Sequence, residues 1–242
     1  MRVVILAAGK GTRMKSDLPK VLVKIRDKPI IEYLVQSVIS SGVDKNPIIV
    51  VSPDNKELIS QALKKYNCQY AIQKEQLGTA HAMACAKVLI DKDEDYIVNF
   101  YGDHPFIKAA SIKKLSQYAK GIITLMTIKV KDFKDWRQCF YHWGRIIRND
   151  SVQEIIEFID ADEKVKKITE LSPSFFCFKN NWLWENISKI KNDNVKGEYY
   201  LTDLVKIAYN QGHKINSILI DPKEAIGINS QEELAKTEVL LK

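Results

Sequence analysis

The chain has 242 residues, of which 45% are hydrophobic, and it contains only 10 Gly and 7 Pro. This composition excludes a disordered, collagen-like or low-complexity protein, and a chain of this length buries enough surface to fold without a disulfide or a structural metal. The formal net charge is +7, and residues 1–28 hold eight Lys or Arg against two Asp. Such a local excess favours an anionic ligand, and nucleic acid, a membrane surface or a small phosphorylated molecule would each fit.

The first half of the chain alternates short β-branched runs with segments in which apolar residues recur every three or four positions. The runs predict strands at 2–6, 47–51, 69–72, 96–100 and 122–130. The periodic segments predict helices at 29–41, 56–65, 79–89 and 110–118, with Pro29 favouring a helix start, Gly42 a helix end and Thr79 an N-cap. This alternation predicts a parallel sheet with helices on both faces, whose ligands bind in the loops after the strands, at 8–20, 73–79 and 101–105.

The second half is less regular. A hairpin is predicted at 145–147 and 152–158, around Asn149-Asp150-Ser151. The remaining predictions are strands at 175–178 and 214–220 and helices at 181–190, 202–210 and 231–241. Any boundary near residue 130 would separate lobes of one compact unit, because no linker or repeat interrupts the chain.

Cysteine usage and hydropathy predict a cytoplasmic protein. The four cysteines form no Cys-x-x-Cys pair and have no His at a zinc-ligand spacing, so we expect buried, reduced thiols. No run approaches the ~20 apolar residues of a membrane span, and the apolar run at 3–8 is too short for a signal peptide.

The strongest local signal is the loop LAAGKGTRM at 6–14, followed by Leu18-Pro19-Lys20. Small residues let a backbone approach a ligand closely, and Arg13 and Lys20 offer a planar fork and a point charge to phosphate oxygens. The loop is neither a Walker A motif nor a dinucleotide fingerprint, because Gly-Lys-Ser/Thr and the third Gly are absent. The alternative is an ordinary loop with exposed Lys residues.

Together with this loop, further motifs occur in the order typical of one family. They are Gln73, QLGTAHA at 76–82, YGD at 101–103, GRI at 144–146, GEYYLTD at 197–203 and GIN at 227–229. With these motifs the chain resembles the uridyltransferase domain of bacterial N-acetylglucosamine-1-phosphate uridyltransferase, a sugar-phosphate nucleotidyltransferase. The resemblance implies an α/β, Rossmann-like, mostly parallel sheet with helices on both faces, as in glycosyltransferase-A folds, and a small sugar-binding lobe. It implies one domain, 1–242, with a nucleotide-binding part (1–130), a sugar-binding part (131–230) and a C-terminal helix (231–242).

The implied reaction joins UTP and a sugar 1-phosphate, with N-acetylglucosamine 1-phosphate as the expected acceptor, to give a UDP-sugar and pyrophosphate. The resemblance assigns catalysis to Arg13 and Lys20. It assigns nucleotide binding to Leu6, Ala7, Ala8, Gly9, Gln73, Gly78, Thr79, Tyr101 and Gly102. It assigns sugar binding to Gly144, Glu157, Ser172 and Asn229, and a Mg²⁺ cofactor to Asp103 and Asn229.

Residue chemistry supports these roles, but each has an alternative. The Gln73 amide both donates and accepts, which suits uracil, although a surface polar residue would look the same. Asp103 follows a strand, where a hard oxygen ligand could hold Mg²⁺ or could cap the next helix. For Asn229, the rival role is the N-cap of the last helix. His81 is expected to pack near a helix start, and His104 stands where the family usually has an apolar residue.

The departures from the family pattern concentrate in the sugar pocket. The usual Asn-Thr-Gly is replaced by Leu171-Ser172-Pro173-Ser174, the usual Lys is Ile159, and the usual Gly-Tyr-Gly-Arg reads HWGR at 142–145. Loss of a protein group that hydrogen-bonds the sugar changes selectivity among sugars strongly, so the sugar could differ from N-acetylglucosamine. No hexapeptide repeat is present, so neither acetyl transfer nor the trimer built on that repeat is predicted.

Three alternatives accompany this reading. A nucleotidyltransferase could use another nucleoside triphosphate or sugar 1-phosphate. The protein could instead be an inactive nucleotide-binding regulator, although Arg13, Lys20 and Asp103 are kept. A nucleic-acid-binding module is disfavoured because the basic segment lacks interleaved aromatic residues, and no membrane partner is expected.

Overall fold

The computed structural model of the protein describes residues 1–9, 11, 14, 16 and 18–240. Twelve strands and seven α-helices are found in this part of the chain. The strands are β1 (Arg2–Leu6), β2 (Lys24–Ile25), β3 (Lys28–Pro29), β4 (Ile48–Val51), β5 (Gln69–Ile72), β6 (Tyr96–Tyr101), β7 (Ile123–Lys129), β8 (Gly144–Arg148), β9 (Val152–Ile156), β10 (Glu170–Ser172), β11 (Phe176–Lys179) and β12 (Asn216–Leu219). The helices are α1 (Ile30–Ser41), α2 (Lys56–Ala62), α3 (Thr79–Cys85), α4 (Ala109–Gln117), α5 (Asn180–Asn186), α6 (Asp203–Asn210) and α7 (Gln231–Leu240).

Ten of the strands form one sheet, in the order β5-β4-β1-β6-β11-β7-β10-β8-β9, with β12 paired to β7. The first four strands in this order, β5, β4, β1 and β6, run parallel to one another. In β1 and β4, Val3–Leu6 and Ile48–Val51 are all buried, as expected for strands covered by helices on both faces. The predicted α/β fold class is confirmed.

The strands of the second half pair mainly antiparallel. β11 lies between β6 and β7 and runs against both, while β10 joins β7 to the hairpin of β8 and β9. β10 and β11 both pair with β7, but their registers on β7 differ by two residues. Ser174, in the short connection between β10 and β11, has a left-handed φ of 59°. β10 and the short β2–β3 ribbon were not predicted, because runs of two or three residues carry little periodicity.

Helix ends agree with the sequence signals in one case and disagree in another. Gly42 ends α1 with a left-handed φ of 74°, as predicted. The prediction that Thr79 is the N-cap of α3 is wrong, because Gly78 is the cap and Thr79 is the first helical residue. The Thr79 hydroxyl accepts a hydrogen bond from the Leu201 amide instead (2.9 Å), so a long-range contact replaces the local one.

Two apolar cores lie on the faces of the sheet. One packs α1 and α4 against the sheet, and the other packs α3, α5 and α6. The four cysteines are free thiols, and burial raises the pKa of Cys68 to about 11. Within the described residues, no helix has both the length and the apolarity that crossing a membrane would require.

Candidate active site

A cleft opens where β1 and β6 end, and it contains two adjoining cavities of about 240 and 730 Å³. The smaller cavity is lined by most of the residues predicted to bind nucleotide, namely Leu6, Ala7, Ala8, Gly9, Gln73, Gly78, Thr79 and Tyr101. Gly102 does not line it, and instead packs behind it, where a Cβ atom would lie 3.1 Å from Val21 and 3.3 Å from Ala7. The cleft therefore lies at the carboxyl edge of the parallel strands, as predicted.

The larger cavity brings together the residues predicted to bind sugar, namely Gly144, Glu157, Ser172 and Asn229. Four residues line both cavities, so the two spaces adjoin at the side chains of Thr79, Tyr101, Asp103 and Glu198. A molecule in one cavity would therefore meet a molecule in the other beside Asp103.

A charged cluster stands at this junction. The Lys20 ammonium donates to Asp103 Oδ2 (2.5 Å) and to Asn229 Oδ1 (3.0 Å), joining residues 83 and 209 positions away in the sequence. Arg13, the other predicted catalytic residue, lies outside the described residues. Lys20, Asp103 and Asn229 thus form the described part of the predicted catalytic and metal-binding set.

The cap of α7 bears on the alternative role of Asn229. The Glu233 amide donates to Ser230 Oγ (3.2 Å), and Glu233 Oε2 accepts from the Asn229 amide (2.6 Å). Ser230 therefore caps the helix, and the Glu233 carboxylate satisfies the amide of the residue before the cap, while the Asn229 side chain reaches Lys20.

Electrostatics keep the Asp103 carboxyl ionised. Burial by itself raises its pKa, but the Lys20 ammonium, which is hydrogen-bonded to the carboxylate, outweighs burial and holds the pKa below its usual range. The carboxylate oxygen of Asp103 and the amide oxygen of Asn229 converge on one ammonium and form a set of hard donors around a cation. This set fits Mg²⁺, which prefers oxygen ligands and retains several waters.

The Gln73 amide has a fixed orientation in the smaller cavity. Its Nε2 donates to the Gly78 carbonyl oxygen (3.2 Å) and lies 3.2 Å from His81 Nδ1, and the residue is 3% exposed. Since a carbonyl oxygen only accepts, Nε2 must face Gly78, which leaves Oε1 as the group that can receive a donor. His81, expected to pack near a helix start, thus contacts a residue of the cavity wall.

Residues 77–80 are fastened to residues 199–201. Gly78 has a φ of 118°, and a Cβ atom there would lie 2.5 Å from the Tyr199 carbonyl oxygen, so only glycine fits without a shift. The Tyr199 amide donates to the Leu77 carbonyl oxygen, and the Ala80 amide donates to that of Tyr199, each over 2.9 Å. These contacts place the GEYYLTD segment beside the cleft.

Glu157 is a half-buried carboxyl group in the wall of the larger cavity. Thr202 donates its hydroxyl to Glu157 Oε1 (3.1 Å), and burial raises the pKa of Glu157 above its usual range. The Tyr200 hydroxyl is buried and has no hydrogen-bond partner within the described residues, and Tyr200 lines the same cavity. A ligand hydroxyl could therefore pair with groups that the protein leaves partly unsatisfied.

Arg145 lies behind the wall of the larger cavity, fully buried and without a carboxylate partner in any described contact. Its guanidinium donates to three backbone carbonyl oxygens: Trp143, Tyr141 (2.8 Å) and Lys166 (3.1 and 3.2 Å). It also faces the ring of Phe158 at 5.2 Å. Trp143, Lys166 and Phe158 all line the cavity, so one side chain holds three parts of its wall.

His104 lines the larger cavity and is 8% exposed. Its Nδ1 lies 2.8 Å from the Ala225 carbonyl oxygen, and its Nε2 lies 3.6 Å from Asp103 Oδ1. Burial lowers the pKa of His104 below its ordinary value. The residue that departs from the family's usual apolar choice therefore faces the cleft.

Residues 3–170 match the model of the MobA-like NTP transferase domain, which is well over half of the chain. The chain belongs to the MobA-like NTP transferase domain family. Its nucleotidyltransferase fold and the family resemblance predicted from its motifs are thereby confirmed.

Relatives of this NTP transferase domain are similar along nearly all of its length. The bifunctional protein GlmU of Caldicellulosiruptor saccharolyticus is 40% identical over 242 residues, and that of Clostridium beijerinckii is 38% identical over 243. Each match covers 99% of this chain and 51% of the relative. The chain therefore spans about half the length of the curated relatives it matches.

Sequence reasoning missed some lining residues of this NTP transferase domain. Tyr200, Thr202 and Glu198 belong to the quoted GEYYLTD motif, and the motif is the signal that could have identified them. Arg145 was quoted within GRI without a role, because a single Arg in a strand is usually exposed.

Proposed function

We propose that the protein transfers a uridylyl group from UTP to a sugar 1-phosphate, with N-acetylglucosamine 1-phosphate as the expected acceptor, and releases pyrophosphate. One observation carries the proposal: Lys20, Asp103 and Asn229 meet where the small cavity adjoins the larger polar one. Phosphates held from either side would meet at this cluster. The similarity to bifunctional GlmU proteins supports the same substrate class.

The proposed chemistry needs no enzyme nucleophile. A phosphate oxygen of the sugar 1-phosphate attacks the α-phosphorus of UTP in line, a P–O bond forms, and the bond to the departing pyrophosphate breaks. Catalysis then depends on positioning and on stabilising negative charge in the transition state. The Lys20 ammonium lies at the junction and is proposed to stabilise this charge. Arg13 is proposed to act with Lys20 on the triphosphate.

The nucleotide is proposed to occupy the smaller cavity with uracil against Gln73. Because the Nε2 group of Gln73 is engaged by Gly78, its Oε1 accepts the N3–H of uracil. Cytosine presents an acceptor at N3, so the two lone pairs would face each other. The amide orientation therefore favours uracil over cytosine.

Mg²⁺ is proposed to be held by a carboxylate oxygen of Asp103 and the amide oxygen of Asn229. When bound, it would neutralise charge on the phosphates. The side-chain oxygens of both residues already accept hydrogen bonds from one cation, the Lys20 ammonium, which supports their proposed role as metal ligands.

The sugar is proposed to occupy the larger cavity, where Glu157, Tyr200 and Thr202 offer hydrogen-bonding groups. Ser172 is engaged locally, because its hydroxyl accepts from the Ser174 amide (3.0 Å). A different sugar 1-phosphate is the second candidate, and this engaged Ser172 favours testing it.

A matrix of four nucleoside triphosphates and several sugar 1-phosphates, with Mg²⁺ and pyrophosphate detection, tests the function. We expect the fastest release with UTP and N-acetylglucosamine 1-phosphate, and Lys20→Met as the inactive control. Faster release with glucosamine or galactose 1-phosphate would replace the acceptor and keep the reaction class. Tight UTP binding with no pyrophosphate release from any pair would refute the enzyme and favour a nucleotide-binding regulator.

A further inference from the structure

The imidazole of His104 is held rigidly beside the proposed metal site. Its ring packs edge-on against Phe175 (4.9 Å between centroids) and Trp143 (5.8 Å). Gly227 lies against the ring edge, where a Cβ atom would approach His104 Cε1 to 2.9 Å. A glycine at this position lets the 225–229 loop pass close to the ring, so both the ring and the Asn229 loop have defined positions.

The contact with Ala225 determines which ring nitrogen carries the proton. A backbone carbonyl oxygen can only accept, so the 2.8 Å contact requires a proton on Nδ1 of His104. In the neutral ring, Nε2 then carries a lone pair. This pattern, with Nδ1–H on a backbone carbonyl and Nε2 available, is the one found in most metal-binding histidines.

The lone pair of Nε2 meets a second electron-rich atom. Nε2 lies 3.6 Å from Asp103 Oδ1, which is longer than a hydrogen bond, while the other carboxylate oxygen is engaged by Lys20. Two lone pairs facing each other in a buried site repel, and a cation between them removes the repulsion. Asp103, Asn229 and His104 also line the same cavity.

Building on the metal site of the proposed function, we propose that His104 Nε2 is a third protein ligand for the divalent cation held by Asp103 and Asn229. One nitrogen donor changes the selectivity of an otherwise all-oxygen site. Imidazole binds Mn²⁺ and Co²⁺ more strongly than Mg²⁺, which prefers carboxylate, carbonyl and water. The site should therefore prefer Mn²⁺ to Mg²⁺ more strongly than the same site with an apolar residue at position 104.

Electron spin echo envelope modulation of bound Mn²⁺ provides a direct test, since it detects ¹⁴N coupled to the metal. The full chain would be loaded with Mn²⁺ and UTP, without a sugar phosphate, so that no turnover occurs. We expect imidazole ¹⁴N modulation in the wild type and its loss in His104→Val. His142→Gln is the matched control, because His142 lines the same cavity but packs edge-on against Phe158 (4.8 Å between centroids), and it should retain the signal.

A second measurement compares affinities. His104→Val should raise the Kd of Mn²⁺ by on the order of tenfold and that of Mg²⁺ by less. His104→Gln keeps an amide donor for the Ala225 carbonyl and serves if the Val variant does not fold. Its Mn²⁺ should also lack ¹⁴N modulation.

The outcomes separate this inference from the proposed function. Mn²⁺ binding that is lost in Asp103→Asn but shows no ¹⁴N modulation in the wild type would overturn the ligand role of His104 and leave the reaction intact. Modulation that persists in both His104 variants would also overturn it. Absence of pyrophosphate release, with the ¹⁴N signal present, would refute the function and keep the metal ligand.

Discussion

Arg145 allows a sharp test of how the larger cavity is built. Arg145→Met replaces a buried guanidinium by an apolar chain of similar length. It removes the donors that hold the carbonyl oxygens of Trp143, Tyr141 and Lys166. Because Trp143 and Lys166 line the larger cavity and Arg145 lines neither cavity, the change should act on one substrate through its pocket wall.

The magnitude follows from two opposing terms. Three carbonyl oxygens lose a charged donor, and each buried polar group left unsatisfied costs about 1–3 kcal/mol. The substitution also removes a charge that is costly to bury without a carboxylate partner, as the lowered pKa of Arg145 indicates, and this gain offsets part of the loss. A net loss of about 2–4 kcal/mol in the free energy of unfolding is expected. Displacement of the wall should raise the KM of the sugar 1-phosphate about tenfold or more, for a binding loss of about 1.4 kcal/mol.

The assay varies one substrate at a time while the other is saturating and follows pyrophosphate. The KM for UTP should stay within about twofold of the wild type, because the smaller cavity does not depend on this residue. Arg148→Met is the matched control, since it is the same substitution in the same strand. Arg148 pairs with Glu170 (2.7 Å) and Ser217 (2.8 Å), away from both cavities, so neither KM should change.

A proportional rise in both KM values for Arg145→Met would refute this reasoning, because it would indicate a general loss of structure. So would a fall in thermal stability with an unchanged acceptor KM. The contrast in acceptor KM between the two Arg variants is the decisive comparison.

Three further predictions concern single side chains. Lys20→Met should lower kcat on the order of 10³-fold with intact folding by circular dichroism, and turnover within tenfold of the wild type would remove Lys20 from the chemistry. Gln73→Ala should reduce the preference for UTP over CTP in kcat/KM about tenfold, and an unchanged ratio would assign base selection to the backbone. Asp203 has a pKa raised to about 6 by burial and by nearby Glu157, so its contribution to stability is present below pH 4 and lost as the pH rises through 6. Asp203→Asn should therefore raise the free energy of unfolding by roughly 1–2 kcal/mol at pH 8 and leave it unchanged at pH 4. Urea denaturation at the two pH values measures this difference, and an equal gain at both would contradict the shifted pKa.

The sequence alone determined the local features of this protein. Buried strands such as β1 and helices such as α1 follow from periodicity and from Pro29 and Gly42, which act within a few residues. The small-residue loop after β1 predicted a phosphate-binding site near Lys20 for the same local reason. The order of motifs along the chain predicted the family, which the match over residues 3–170 confirms.

Only the tertiary structure decided how distant residues meet. Strand order brings Asp103 and Asn229 to Lys20, and no local pattern specifies a contact across 209 positions. The antiparallel insertion of β11, the buried Arg145 and the cleft-facing His104 likewise depend on packing. Thr79 shows most directly what local sequence cannot predict. The sequence favours Thr79 as a helix cap, but its hydroxyl accepts a hydrogen bond from the amide of Leu201, 122 residues away. Local signals record the interactions of neighbours, whereas this site is assembled by long-range pairing and burial.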